Sequence, residues 1–199
     1  MNGRTLVLAV LLVTLVACGD RGNAPATALA FKATDITGVD WGRDFHLTDH
    51  MGQPRSMADF KGRVVMLFFG YTHCPDVCPT TLAEMAQVRA KLGVDAPRVQ
   101  GLFVTVDPRR DTPQVLAQYV PAFDPSFLGL FADGDGTAAL AREFKIYYAP
   151  QAADAQGNYT VDHTGAVYVF DPRGRLRLLM RPGTGIDAMA ADVRLLLEP

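Results

Sequence analysis

A continuous apolar run that leads into two cysteines and then a helical pattern constrains the fold of this chain most. Val64–Phe69 contains no polar residue, which is typical of a strand buried on both faces of a sheet. Cys74 and Cys78 lie in the short segment that follows, and Thr80–Leu92 then places apolar residues at helical spacing, with either threonine at its start as an expected N-cap. The sequence therefore predicts a buried strand, a cysteine-bearing loop and a helix in direct succession.

The remaining chain alternates strand-like and helix-like segments. Phe45–Thr48 and the residues after Gly52 predict a β-hairpin near the start of the domain. Further strands are expected at Val99–Val106, Leu128–Phe131, Ala166–Phe170 and Leu176–Met180, and further helices at Thr112–Tyr119, Thr137–Phe144 and Ile186–Leu197. This order predicts an α/β protein with a mixed central sheet flanked by helices and an added N-terminal β-hairpin. A cysteine pair between the first long strand and its helix is the thioredoxin arrangement.

Composition and charge narrow the classes of protein to which the chain can belong. Of its 199 residues, 49% are hydrophobic and 20% are charged, which indicates a folded domain rather than a disordered chain. The formal net charge of −2 provides no basic surface, so no nucleic-acid partner is expected. No composition break or internal repeat follows residue 34, so residues 35–199 are expected to form one domain.

The first residues resemble the export signal of a bacterial lipoprotein. Arg4 precedes an apolar run, Leu6–Ala17, that is shorter than the ~20 residues of a permanent transmembrane helix. The run ends in small residues before Cys18, as in the lipobox of bacterial lipoproteins. The resemblance implies a signal peptide over 1–17, a lipidated Cys18 and a flexible tether over 18–34, with the domain facing the periplasm from the inner membrane. An ordinary cleaved signal and an uncleaved anchor with a free cysteine are the alternatives.

Cys74 and Cys78 are the chemical centre of the sequence. Their spacing places both thiols on the same side of a helix or tight turn, and a helix start nearby favours the thiolate form. Two thiolates at this spacing suit a soft ion such as Cu(I), or Zn²⁺, and they can equally form a reversible disulfide. A purely structural disulfide is a weaker interpretation, because a bridge across so short a loop constrains little chain.

Two thiolates leave a copper ion with room for a third ligand. His163 lies at the entrance to a predicted core strand, which in a thioredoxin-like sheet is close to the cysteine loop, and Asp162 could orient its ring. A histidine that bonds only within the protein fits the same spacing, so the residues alone leave this open. His73 adjoins the first cysteine but should point elsewhere, and His46 and His50 are expected to face solvent.

Three motifs, in this order and separation, resemble those of the Sco/SenC family of copper-assembly proteins. They are the run YTHCPDVCP at 71–79, the run VDPRRDTP at 106–113 and the run YTVDHTG at 159–165. The resemblance extends from about Phe45 to Leu197. It implies a thioredoxin-like fold with an added hairpin, and a copper site formed by Cys74, Cys78 and His163.

The resemblance also implies a function. Family members help to assemble the dinuclear copper centre, CuA, in subunit II of cytochrome c oxidase. The chain is therefore expected to bind copper, as Cu(I), Cu(II) or both, and to deliver it there as a membrane-anchored metallochaperone. A periplasmic copper donor or thiol reductant is a further expected partner. Asp107 and Asp111 belong to the second motif, and turn formation and helix capping are the roles expected for them.

The same two cysteines are compatible with a second function. As a thiol–disulfide oxidoreductase, the chain would use Cys74 and Cys78 as a redox-active pair that keeps the copper-ligand cysteines of the acceptor reduced, with no need of His163 as a ligand. A peroxiredoxin-like peroxidase is less consistent with two neighbouring thiols, since a peroxidatic cysteine needs its own cationic pocket. The sequence alone leaves open whether the chain acts as an enzyme.

Overall fold

The computed structural model describes residues 30–198 and has a mixed α/β architecture. The predicted signal peptide over 1–17, Cys18 and most of the predicted tether lie outside the described residues. The strands are β1 (Thr34–Asp35), β2 (His46–Asp49), β3 (Pro54–Ser56), β4 (Val64–Gly70), β5 (Val99–Thr105), β6 (Leu128–Phe131), β7 (Tyr148–Pro150), β8 (Val161–His163), β9 (Val167–Phe170) and β10 (Leu176–Met180). The α-helices are α1 (Val77–Lys91), α2 (Pro113–Tyr119), α3 (Gly134–Glu143) and α4 (Ile186–Leu197).

Eight of these strands form one mixed sheet, in the order β1-β10-β9-β4-β5-β6-β2-β3. β4, β5 and β6 run parallel to one another, and β9 lies antiparallel on the other side of β4. Every residue of β4 and β5 is buried, as expected for central strands whose two faces are both covered. The predicted α/β fold, with a thioredoxin-like succession of strand, cysteine loop and helix, is confirmed.

The strand directions bring distant segments to one edge of the sheet. The cysteine segment follows the end of β4, and the β5–α2 connection follows the end of β5 beside it. Because β9 is antiparallel to β4, the residues that precede β9 reach this same edge. A site assembled here can therefore combine residues from three separate parts of the chain.

The predicted N-terminal hairpin is present and is joined to the main sheet. β2 pairs with β3 along one edge and with β6 along the other. The carboxylate of Asp49 is buried and accepts hydrogen bonds from two backbone N–H groups of the turn and from Arg55 Nε (2.8 Å). The expectation that His50 faces solvent is wrong, because its half-buried ring accepts a hydrogen bond at Nδ1 from the Gly129 N–H (3.0 Å).

The helix after the cysteines starts earlier than the apolar pattern indicates. α1 begins at Val77, so Asp76 rather than Thr80 occupies the N-cap position and Cys78 lies in the first helical turn. Pro79 is compatible with this start, because N–H groups in the first turn have no partner within the helix. The sulfur of the second cysteine is therefore held by a helix and not by a loop.

A second, two-stranded sheet was not predicted. β7 pairs with β8 in antiparallel fashion, with Tyr148 opposite His163. His163 therefore ends a separate hairpin instead of lying directly at the entrance to β9. The preceding helix α3 also differs from expectation, since it begins at Gly134 and not at Thr137, with Asp133 as its N-cap.

The N-terminal end of the described chain is fixed to the last helix. The N–H groups of Lys32 and Ala33 donate hydrogen bonds to the buried carboxylate of Asp192 in α4, at 2.8 and 2.7 Å. This contact determines where the chain from the predicted anchor joins the domain. Within residues 30–198, none of the helices combines the length and the apolar character needed to span a membrane.

Candidate metal centre

Three potential metal-ligand atoms converge at the edge of the sheet where β4 ends. The sulfurs of Cys74 and Cys78 and a ring nitrogen of His163 all lie within 4.8 Å of one another. Cys74 lies in the segment after β4, Cys78 in the first turn of α1 and His163 at the end of β8. The structure thus brings together the three residues that the sequence analysis grouped.

The two cysteines differ in accessibility. Cys78 is completely buried, whereas Cys74 is half-buried, and both are free thiols. The Cys78 N–H donates a hydrogen bond to Cys74 Sγ (3.4 Å). The Cys78 sulfur packs against the end of β4, where a Cβ on Gly70 would lie 2.8 Å from it. Cys74 is therefore the thiol that a partner reaches first, and Cys78 forms the floor of the site.

Burial raises the pKa of the Cys78 thiol, because an anionic sulfur would lose its hydration there. A hydrogen bond from the Tyr71 N–H offsets part of this effect, while the nearby Cys74 sulfur adds to it. Burial therefore favours the neutral thiol at Cys78, whose sulfur lies 3.3 Å from His163 Nε2. A coordinated cation reverses this preference, because coordination to a metal ion deprotonates a thiol.

The ring of His163 has a defined orientation. Its Nδ1 lies 3.2 Å from the Thr164 carbonyl oxygen, which can only accept, so Nδ1 carries the proton and Nε2 presents a lone pair to Cys78. The ring packs edge-on against Phe68 and Tyr71, at centroid distances of 5.9 and 5.8 Å. Burial lowers the pKa of His163 below its ordinary value, although the Thr164 carbonyl opposes this effect. The imidazole is therefore neutral at pH 7, as a metal ligand must be.

Other residues considered from the sequence lie outside this group. Asp162 is exposed and accepts a hydrogen bond from Gln151 Nε2 (2.8 Å), so the expectation that it orients the ligand imidazole is wrong. His73 is not a member of the ligand group, as expected, and its Nδ1 lies 3.1 Å from the Thr72 hydroxyl oxygen. The side chain of His46 is 86% exposed, also as expected.

Asp111 has a role beside this site that the sequence did not reveal. Its buried carboxylate accepts hydrogen bonds from the Thr72 N–H (3.0 Å) and hydroxyl (2.6 Å), and from the Thr105 hydroxyl (2.6 Å). These bonds tie the segment that leads to Cys74 to the end of β5. The expectation of helix capping is wrong for Asp111, because Thr112 is the N-cap of α2.

Asp107 forms a turn, as expected, and also makes side-chain contacts that no local pattern indicates. Its carbonyl accepts hydrogen bonds from the N–H groups of Arg110 and Asp111. Its carboxylate binds the Arg110 guanidinium and the hydroxyl of Tyr159, which is 52 positions away in the chain. The second and third sequence motifs are therefore in direct contact.

The donor atoms of the group suit copper. Two sulfurs and one imidazole nitrogen are ligands that Cu(I) binds well, and imidazole also binds Cu(II). Protein sulfur and nitrogen ligands bind ions of this size at about 2.0–2.3 Å. Donor atoms that already lie within 4.8 Å of one another need only small shifts to share one ion. The group contains no carboxylate, which disfavours hard ions such as Mg²⁺.

The fold and the site define a thioredoxin-like protein with a largely buried dithiol–imidazole group suited to a soft metal ion. The family model described as SCO1/SenC matches residues 33–198. The chain belongs to the SCO1/SenC family.

Relatives and solved structures agree with this assignment. The mitochondrial SCO2 homologue of Mus musculus is 45% identical over 133 residues, which cover 66% of this chain and 52% of that protein. The chain spans about half the length of the curated relatives it matches. The structure of Bradyrhizobium japonicum ScoI with copper bound is 37% identical, with a TM-score of 0.71, covering 77% of this chain and 97% of that chain. Apo Sco1 from Thermus thermophilus is 38% identical, with a TM-score of 0.75, covering 86% of this chain and 99% of that chain.

Proposed function

We propose that this protein is a copper metallochaperone that binds copper through Cys74, Cys78 and His163 and delivers it to the dinuclear copper site of cytochrome c oxidase subunit II. One observation carries the proposal. Two sulfurs and a neutral imidazole converge within 4.8 Å, in a family whose solved members include proteins with copper bound. The copper ion is the cargo of this protein, so binding must be tight but open to exchange.

The unequal accessibility of the ligands suggests how the copper ion is passed on. Cys78 is buried and retains the ion, whereas Cys74 is half-buried and lies where a partner can approach. An incoming thiolate or imidazole of the acceptor joins the coordination sphere before Cys74 leaves it. Transfer by such ligand exchange avoids the release of a free ion, and it requires reduced cysteines on both proteins.

Membrane anchoring is part of the proposal. A lipid on Cys18 would hold the domain at the periplasmic face of the inner membrane, since each buried CH₂ contributes about 0.8 kcal/mol to membrane binding. The tether over 18–34 would give the domain a short reach along that surface, where a membrane-bound oxidase is its acceptor. A periplasmic copper donor or thiol reductant would restore the loaded state.

A thiol–disulfide oxidoreductase is the second candidate, and the arrangement of the two thiols favours it specifically. The accessible Cys74 thiolate would attack a disulfide of the acceptor, releasing one acceptor thiolate and forming a mixed disulfide. Cys78 would then displace the second acceptor sulfur. Two electrons pass to the acceptor, which becomes a dithiol, while this chain becomes a disulfide. His163 is not needed for these steps.

Titration with Cu(I) against a competing chelator tests the first proposal. The full chain, purified in detergent and fully reduced, is compared with Cys74→Ser/Cys78→Ser, His163→Ala and His46→Ala. We expect one-to-one binding that collapses in the double cysteine variant, weakens in His163→Ala and is unchanged in the exposed control His46→Ala. Binding by wild type that equals that of the double variant would contradict copper loading at this site and leave the redox function.

Transfer to an acceptor separates the two candidates. His163→Ala and wild type are each tested in two separate mixtures: the copper-free, reduced protein with the oxidised copper domain of an oxidase subunit II, to measure disulfide reduction, and the copper-loaded protein with the same domain in its reduced, copper-free form, to measure copper uptake. A metallochaperone loses copper transfer in His163→Ala while reduction by the cysteines persists. Equal maturation of the acceptor by both proteins would favour the oxidoreductase.

A further inference from the structure

A polar and aromatic cluster lies beside the copper-ligand group without joining it. It consists of Tyr71, Asp107, Arg110 and Tyr159, and we refer to it as the Arg110 cluster. The guanidinium donates through Nε to Asp107 and through Nη1 to the Tyr159 carbonyl oxygen (2.8 Å), and the Tyr159 hydroxyl donates to Asp107 Oδ1 (3.0 Å). Arg110 therefore makes hydrogen bonds both within the turn that begins at Asp107 and to the segment that precedes β8.

Aromatic contacts extend this cluster to the ligand histidine. The Arg110 Cζ lies 3.6 Å from the ring centroid of Tyr159 and 5.6 Å from that of Tyr71. The Tyr71 ring in turn packs perpendicular to the His163 ring at 5.8 Å. A guanidinium over aromatic faces is attracted by their quadrupoles and stabilises this stacking. Arg110 thus contacts the tyrosine against which the imidazole packs.

The contacts of Arg110 with Tyr159 matter because Tyr159 lies in the segment that leads to His163. Residues 151–160 connect β7 to β8, and most of them are exposed. The hairpin that ends at His163 forms its own two-stranded sheet and is not a strand of the main sheet. The bonds from Arg110 to Tyr159, two residues before β8, fix this hairpin to the β5–α2 connection.

We propose that Arg110 is a positioning residue for His163, which rests on the proposed role of His163 as a copper ligand. By holding Tyr159 and the Tyr71 ring, Arg110 determines where the imidazole lies relative to the two sulfurs. Arg110 itself has no contact with the ligand atoms. Groups that hydrogen-bond directly to a metal ligand typically contribute about 10–100-fold to metal affinity, and because Arg110 acts through two tyrosines we expect an effect at the lower end of this range.

A double-mutant cycle tests whether Arg110 acts through His163. Cu(I) affinity is measured on the full chain, purified in detergent, for wild type, Arg110→Met, His163→Ala and the double variant. We expect Arg110→Met to lower affinity about tenfold and to have no effect once His163 is absent. Arg109→Met is the matched control, because this neighbouring arginine is exposed and makes no hydrogen bond within residues 30–198. An equal loss in both backgrounds would overturn the proposal.

Arg110→Lys keeps the charge and serves if Arg110→Met fails to fold. A lysine ammonium cannot donate hydrogen bonds to two partners in one plane, and it cannot stack on the tyrosine rings as a guanidinium does. We therefore expect Arg110→Lys to retain most of the loss in Cu(I) affinity seen in Arg110→Met. Full retention of Cu(I) affinity in Arg110→Lys, together with an unchanged hairpin, would overturn the proposal.

Hydrogen exchange on the metal-free protein provides a readout that does not depend on copper. We expect faster amide exchange over 151–164 in Arg110→Lys, with β4 and β5 unchanged and Arg109→Met like wild type. Unchanged exchange over 151–164 would refute the positioning role even where copper is bound. If wild type binds copper no better than Cys74→Ser/Cys78→Ser, the proposed function fails, and exchange still decides whether Arg110 holds the hairpin.

Discussion

The Nε2 atom of His163 lies 3.3 Å from the sulfur of Cys78, although 85 positions of the chain separate the two residues. The order of strands in the sheet produces this contact. β9 pairs antiparallel with β4, so the segment before β9 and the segment after β4 meet at one edge. The ligand group is therefore a consequence of topology, and it forms only when the central sheet is complete.

The two cysteines should react with alkylating reagents at very different rates. Cys74 is half-buried and Cys78 is completely buried, so only Cys74 is open to a reagent in the folded protein. We expect iodoacetamide to modify Cys74 at least about ten times faster, because reactivity requires both exposure and thiolate character. Mass spectrometry of the peptides that contain each cysteine measures both rates. Equal rates in urea are the control, and equal rates in the folded protein would contradict the assigned accessibility.

Two glycines in neighbouring strands provide a matched test of whether copper binding depends on the position of the Cys78 sulfur. A Cβ on Gly70 would lie 2.8 Å from the Cys78 sulfur and 2.9 Å from a Phe103 ring carbon, whereas a Cβ on Gly101 would overlap the ring of Phe127. Overpacking of this kind typically costs about 1–3 kcal/mol, so urea unfolding should find both alanine variants destabilised.

Only Gly70→Ala should also lower copper affinity, because it displaces a ligand sulfur. Gly101→Ala disturbs the sheet without touching the ligand group, so its Cu(I) titration should match that of wild type. Equal losses of affinity in the two variants would mean that general destabilisation, and not the position of Cys78, controls binding.

Much of the fold could be predicted because apolar periodicity and turn residues are local signals. The bounds observed for β6, β10 and α4 are those expected from the sequence. The β7–β8 hairpin was missed because its strands have three residues each and are partly exposed, so they carry no alternating apolar pattern. The apolar spacing indicates α1 only from Thr80, whereas the helix begins at Val77 and has Pro79 in its first turn, a position that tolerates proline.

The candidate site was predictable only in part, for a related reason. Cys74 and Cys78 form a local pair that the sequence shows directly. His163 is indicated only by the family resemblance and by its position before a core strand. The partners of Asp111 and Arg110 come from other segments, at separations of 39 and 49 positions. Contacts of this kind depend on how strand ends are brought together, and single-sequence patterns carry no signal for them.

Asp111→Asn should loosen the segment that carries Cys74. The carboxylate accepts three hydrogen bonds from Thr72 and Thr105, and an amide has only one oxygen with which to accept them. Leaving buried donors without a partner costs about 1–3 kcal/mol, so urea unfolding should show a loss of this size. We also expect faster amide exchange at residues 72–74. Wild-type stability and exchange in Asp111→Asn would show that these hydrogen bonds contribute little.

Asp171 should make the stability of the protein depend on pH. Burial alone would raise the pKa of its carboxyl, but hydrogen bonds from Arg175 and Arg177 outweigh this and hold the pKa below 3.8. A carboxylate whose pKa is lower in the folded state stabilises the protein above its unfolded pKa and loses this contribution as the pH falls through the folded value. We expect Asp171→Asn to lower the free energy of unfolding at pH 7 by about 1–2 kcal/mol.

The difference between wild type and Asp171→Asn should begin to shrink as the pH falls below about 4, because the unfolded wild-type chain then takes up a proton at this carboxyl, and it should shrink further as the pH approaches the lower pKa of the folded state. Urea unfolding at pH 7 and at pH 3 measures both differences. Asp40→Asn is the matched control, since this aspartate is exposed and has no hydrogen-bonded partner in the described part of the chain, so its difference from wild type should be small at both values. A difference for Asp171→Asn that stays constant from pH 7 to pH 3 would mean that packing at the β9–β10 turn, and not the charge of Asp171, stabilises this part of the fold.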